Sequence, residues 1–287
     1  MRNMMTRIYR VAGHTFAISG RVELIEQMDN LEPFACEGGE PLFSLMEDCG
    51  EVPEYTEVYR REEPYITTIV CGHTALGNDV FKFGNSWFLI CSKDYSEGRV
   101  IMPKCTYRMA SYYRLVSNDA LKMMYALATA GKDTLCIHAA VVSQEGKGYL
   151  FLGPSGTGKS THAQLWLKHF EGTELVNDDN PVVRDGVVYG SPWSGTKTPC
   201  YRNVSVPIGG IVMLSQAPYN KIRRLSGIEA YVDLAESVGS MPWDSRISEG
   251  FHQTMNKLAS TVPMWHLECL PDEAAARLCH ETIHNIR

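Results

Sequence analysis

The chain lacks any run of 18 apolar residues, and a membrane-crossing helix needs about 20. No membrane span is expected. No apolar stretch follows Met1-Arg2-Asn3-Met4-Met5-Thr6-Arg7, so no secretory leader is expected either. The nine cysteines are odd in number, scattered, and contain no C-x-x-C pair. That argues against a disulfide framework and against a zinc site, and for free thiols in a reducing cytoplasm. There is no long basic run, and the formal net charge is −6. A nucleic-acid partner is disfavoured, although Lys221-Ile222-Arg223-Arg224 makes a small local patch. Repeats and low-complexity tracts are absent as well. An apolar fraction of 44% supports a packed core and excludes wholesale disorder.

What is present divides into two parts. Residues 1–116 read as β-rich and 117–287 as an α/β catalytic domain. In the first part, Ile8–Val11 and Thr15–Ile18 flank an Ala12-Gly13 turn, which predicts a hairpin. Short strands follow at 54–60, 65–71, 80–83 and 87–91, while 30–53 is acidic, contains Gly and Pro, and reads mostly as loop. In the second part, helices are expected over 119–130, 161–170, 226–238, 247–258 and 271–284. Ser226 and Glu229 have capping-box spacing, and Pro271 sits at a first turn. Strands are expected at 137–143, 148–152, 174–177, 182–183, 187–189, 210–214 and 265–268.

One stretch carries strong chemistry. Gly153-Pro154-Ser155-Gly156-Thr157-Gly158-Lys159-Ser160-Thr161 fits G-x-x-x-x-G-K-[ST]. In such a loop the backbone N–H groups cradle phosphate oxygens, the lysine reaches the β and γ phosphates, and the Ser/Thr hydroxyl binds Mg²⁺. The context is a strand before and a helix after, whose N-terminus adds partial positive charge. ATP and Mg²⁺ are the expected ligands, with Ser160 on the metal.

Asp178-Asp179 ends an apolar strand shortly after Lys159. A nucleotide-bound Mg²⁺ needs a carboxylate nearby, and a second carboxylate can handle an acceptor's proton. Asp179 is expected as the metal ligand and Asp178 as the base, although neighbours of one kind can exchange roles. The rival reading is turn chemistry, since Asp-Asp-Asn-Pro suits a turn. His138 opens the strand before the loop and can face a transferred phosphoryl group; a lone histidine is otherwise structural. Arg202 and the polar stretch Ser191–Pro199 can line a nucleotide or acceptor site or serve as plain surface. His280 and His284 read as a solvated helix face.

The combination of His138-Ala139-Ala140-Val141-Val142, Gly153 to Ser160 and Leu175-Val176-Asn177-Asp178-Asp179 resembles the catalytic domain of HPr kinase/phosphorylase. The resemblance covers about 135–215. It implies a P-loop unit on a mixed, β-rich sheet, a fold shared with ATP-dependent phosphoenolpyruvate carboxykinase. It further implies that the loop binds ATP, that its serine and an aspartate hold Mg²⁺, and that the Asp pair assists proton loss from a serine hydroxyl. Two departures stand out: Thr161 replaces a glutamate, and the family's Pro-Gly-Arg-Asn-type segment is missing around Val206–Gly210. The expected function is ATP- and Mg²⁺-dependent phosphotransfer to a hydroxyl of a protein, peptide or small molecule, in the cytoplasm. The open alternative is a nucleotide-gated binding module that transfers nothing. The first 116 residues are expected to recognise the acceptor.

Overall fold

A computed structural model describes residues 3–63, 66–84, 87–102, 110–195, 199–238 and 244–285. It is a mixed α/β structure with two compact units, Met1–Thr129 and Ala130–Arg287.

The first unit is an eight-stranded sheet. In chain order it contains β1 (Met4–Val11), β2 (His14–Arg21), the short α1 (Val22–Ile25), a 3-10 turn (Asp29–Phe34), β3 (Phe43–Asp48), β4 (Thr56–Glu63), β5 (Ile66–His73), β6 (Asp79–Phe83), β7 (Trp87–Cys91), β8 (Glu97–Ile101) and α2 (Ala110–Thr129). The strand order is β1-β2-β3-β8-β7-β6-β5-β4. The expected first hairpin is there: Ala12 (φ 47°) and Gly13 (φ 79°) both take the left-handed conformation that a two-residue hairpin turn needs. The expected loop over 30–53 is corrected. It holds the 3-10 turn and β3, which is parallel to both β2 and β8. Phe43 and Leu45 bury there, apolar positions that the surrounding acidic residues masked. Phe16 and Phe43 stack at 5.2 Å with Tyr125 edge-on, and Phe81 and Trp87 are buried in the same unit.

The boundary expected at 116/117 moves to 129/130 because α2 packs on this first sheet. Its Met124 meets Cys91 (Sγ–Sδ 3.6 Å), and Tyr125 donates its hydroxyl to the Val11 carbonyl at 3.0 Å. No helix among the described residues is long and apolar enough to cross a membrane. All described cysteines carry free thiols.

The second unit contains β9 (Thr134–Cys136), β10 (Ala139–Gln144), β11 (Lys147–Leu152), α3 (Lys159–His169), β12 (Glu174–Asp179), β13 (Val182–Arg184), β14 (Val187–Tyr189), β15 (Ser205–Gln216), β16 (Lys221–Leu225), α4 (Ile228–Ser237), α5 (Ser245–Thr261), β17 (Met264–Cys269) and α6 (Glu273–His284). The main sheet runs β12-β10-β11-β15-β17-β16, and β15 also carries β14, β13 and β9 along its first residues. β11, β15 and β17 are parallel; β10 is antiparallel to both β11 and β12. One face packs Ala140, Val142, Tyr149, Phe151, Val212 and Trp265 against α3 and α6.

Several sequence expectations shift here. The strand expected at 137–143 is β10, which begins only at Ala139; His138 lies between it and the short β9. The basic patch 221–225 is β16. The capping box at Ser226 is not made; Gly227 stands at the cap with no side-chain bond. α6 is capped by the Asp272 carboxylate, which accepts from the Ala275 N–H. His280 and His284 are not a solvated face. They stack on each other at 4.1 Å, His280 stacks on Phe170 at 4.0 Å, and His284 meets the Tyr149 hydroxyl at 3.0 Å.

Candidate functional site

Three segments meet at one edge of the second sheet, and the strand register explains why. β11 ends at Leu152 and β12 at Asp179; Ala139, the first residue of β10, pairs with both. The loop 153–158, the aspartates and His138 therefore lie along a single edge. β10 lies between the loop strand and the aspartate strand.

The loop is shaped by glycine. Gly153 (φ 142°) lies where a Cβ would fall 2.9 Å from the Leu214 carbonyl, and Gly158 (φ 111°) forms the left-handed cap of α3. Only glycine takes such conformations at low cost. Thr157 donates its hydroxyl to the Pro154 carbonyl at 2.7 Å. The Gln216 side-chain amide, arriving from the end of β15, reaches the Gly156 carbonyl at 3.2 Å. Lys159 is buried and folds back over the loop, its Nζ donating to the carbonyls of Gly153 (2.8 Å) and Pro154 (3.1 Å). Burial pushes its ammonium pKa down, while the charges of Asp179 and Asp178 oppose that shift. The first turn of α3 begins here, so its N–H groups have no partner within the helix.

The two aspartates part company. Side chains along a strand alternate between faces. A bulge at Val176 breaks the count: Leu175 pairs with Val142 but Asn177 pairs with Val141. Leu175 and Asp178 consequently share the face covered by α3, and Asp179 points to the other. Asp178 is buried and accepts a hydrogen bond from the Ser160 hydroxyl at 2.7 Å. Asp179 instead meets His138, Nδ1 to Oδ1 at 2.9 Å. Ser160, expected to share the metal with Asp179, thus sits beside Asp178. His138 is further held by its backbone N–H, which donates to the Ser237 carbonyl at 2.9 Å.

Arg202 is not at this edge. It donates to the Leu175 carbonyl at 2.7 Å and pairs with Glu174 at 2.7 Å, at the opposite end of β12, where it covers the free side of an edge strand. Of the polar stretch 191–199, Ser194 and Gly195 lie against the Asp178 carbonyl, while residues 196–198 lie outside the described set. Ser191 is buried, bonding Asn177 and the Asn180 carbonyl.

A cleft of about 540 Å³ opens beside the loop. It is lined by Gly156–Gly158, Thr161, His162 and Leu165 on one side, and by Leu214, Gln216–Pro218 and Cys269–Pro271 on the other. Sequence reading missed this cleft and His162. Nothing at the level of spacing marks them, because the cleft forms between α3 and the ends of β15 and β17.

The protein-family model for ScmC, SynChlorMet cassette protein ScmC, matches residues 109–270. No curated protein matches the chain. The match takes in the loop, the aspartates, His138 and both sides of the cleft, and it spans more than half of the 287 residues. The chain is a member of the ScmC family of SynChlorMet cassette proteins.

Proposed function

We propose that the second unit is an ATP- and Mg²⁺-dependent kinase of the HPr-kinase-like, phosphoenolpyruvate carboxykinase-like fold, transferring the γ-phosphoryl group to a hydroxyl. One observation carries this reading: at a single sheet edge the glycine loop and Lys159 stand with a Ser160–Asp178 oxygen pair and a His138–Asp179 dyad.

Each group has a separable task. The loop 153–161 wraps the phosphates and Lys159 exchanges its loop carbonyls for phosphate oxygens. Ser160 and Asp178 supply hard oxygen donors of the kind Mg²⁺ takes. Bound Mg²⁺ would offset the charge of the phosphates. The dyad serves the acceptor: His138 Nδ1–H donates to Asp179, and the pair receives the hydroxyl proton. This division reverses the sequence expectation, giving Asp178 the metal and Asp179 the proton. The apolar cleft next to the loop would take the nucleoside. The acceptor is a hydroxyl of a peptide, protein or small molecule.

Incubation with γ-labelled ATP, Mg²⁺ and serine-bearing peptides or small alcohols should yield labelled acceptor, and Lys159→Ala should abolish it. ATP binding with no transfer to any acceptor would replace the kinase with a nucleotide-gated binding module.

A further inference from the structure

His162 is 3% exposed and lines the cleft beside the loop. It packs edge-on against Phe151 at 4.7 Å. One turn along α3, Trp166 donates its indole N–H to His162 Nε2 at 3.2 Å. An indole N–H only donates, so Nε2 must present its lone pair. The ring is therefore neutral, since a protonated imidazole has no lone pair to offer. A neutral imidazole with a free Nε2 lone pair carries its proton on Nδ1. No hydrogen bond of that N–H to another described residue is found. The cleft that His162 lines has apolar walls from Leu165, Leu214, Pro218 and Leu270, with Thr161 and Gln216 at its loop side.

We infer that the His162 Nδ1–H group reads the nucleobase, donating to a ring-nitrogen acceptor of a heteroaromatic base seated between these apolar walls. The inference rests on the kinase reading for the presence of a nucleotide. With the cleft empty this donor has only water to pair with, and a base nitrogen takes the water's place. Trp166 acts through His162: by occupying Nε2 it keeps the proton on Nδ1.

Calorimetry on the full chain tests this with Mg-ATP, Mg-tripolyphosphate and the 1-, 3- and 7-deaza analogues of ATP. One deaza analogue should bind the wild type about threefold to tenfold more weakly than ATP, the range of one neutral hydrogen bond. His162→Leu should weaken ATP by the same factor, leave tripolyphosphate unchanged, and bind that analogue no worse than ATP. His162→Asn, which keeps a donor near the Nδ1 position, should restore part of the loss. If all three analogues bind the wild type as tightly as ATP, the inference is wrong, whatever the variants do. If the wild type binds tripolyphosphate but shows no preference for ATP over it, the base pocket is wrong while the loop stands. If neither ATP nor tripolyphosphate binds, the kinase reading itself falls.

Discussion

Asp178 and Asp179 are the same amino acid in adjacent positions, and only the strand's facing separates the tasks proposed for them. Asp178→Asn should raise the Mg²⁺ concentration needed for half-maximal transfer. Asp179→Asn and His138→Gln should each lower kcat by about a hundredfold or more, with ATP affinity kept within about tenfold. Steady-state kinetics across a Mg²⁺ titration check this, and identical profiles for the two Asn variants would remove the division of labour. His162 carries a stability consequence of its own. In the unfolded chain its imidazole titrates near 6.5, whereas in the folded state it does so at about 4. Below pH 6.5 the unfolded state therefore gains a proton that the folded state refuses. The stability that the neutral ring allows is complete above pH 6.5 and falls by up to about 3 kcal/mol as pH drops to 4. Denaturant melts from pH 7 to 4 should show a shallower acid loss for His162→Leu than for the wild type. At this scale the sequence revealed the loop, Lys159, Ser160 and the aspartate pair, because motif spacing reports local backbone. It left the partners of each aspartate open and concealed His162, since those depend on which strands pair and on which face each side chain points to.

Among the elements, α5 lies close against backbone at Gly250. A Cβ at Gly250 would lie 2.4 Å from the Gly131 nitrogen and 2.8 Å from its Cα. Helix propensity favours alanine over glycine by about 1 kcal/mol. Contact with backbone cannot be relieved by a rotamer change, so the clash should win. Gly250→Ala is expected to destabilise the protein by about 1–3 kcal/mol, read as a lower denaturant midpoint; a rise in the midpoint would show that α5 can shift freely. The same helix illustrates what periodicity reveals. Ile247, Phe251, Met255 and Leu258 recur at helical spacing and are all buried, so α5 was legible. β3 and β16 were not. β3 lies inside an acidic stretch, and β16 alternates charge with aliphatic residues at a sheet edge, where polar residues are what an exposed strand carries.

For the molecule as a whole, unit boundaries and the family match do not coincide. The match begins at 109, within or beside α2, and ends at 270, before α6. A fragment cut to the match would carry α2 without its sheet, exposing Leu121, Met124 and Tyr125, and would lack the Ala276, Cys279 and Ile283 that complete the second core. It should aggregate. A fragment of residues 130–287 keeps the loop, both aspartates, His138 and the cleft, and should stay monodisperse and bind Mg-ATP with affinity close to that of the full chain, with acceptor transfer reduced if residues 1–129 recognise the acceptor. Size-exclusion chromatography and calorimetry on both fragments decide; aggregation of 130–287 would mean that the two units are stable only together. Two parts were legible in composition and turn spacing, but the division point was not, because α2 is amphipathic on either assignment and only its contacts with Val11 and Cys91 place it.

The extra residue at Val176 makes the facing of each acid a matter of odd and even. With the bulge kept and Leu175 still opposite Val142, losing one residue before Asp178 would put the Asp179 carboxylate opposite Ala140, on the face of Ser160; gaining one would put Asp178 opposite Ala139, beside His138. In either case one acid takes the other's place and its neighbour leaves the edge, with neither acid itself substituted.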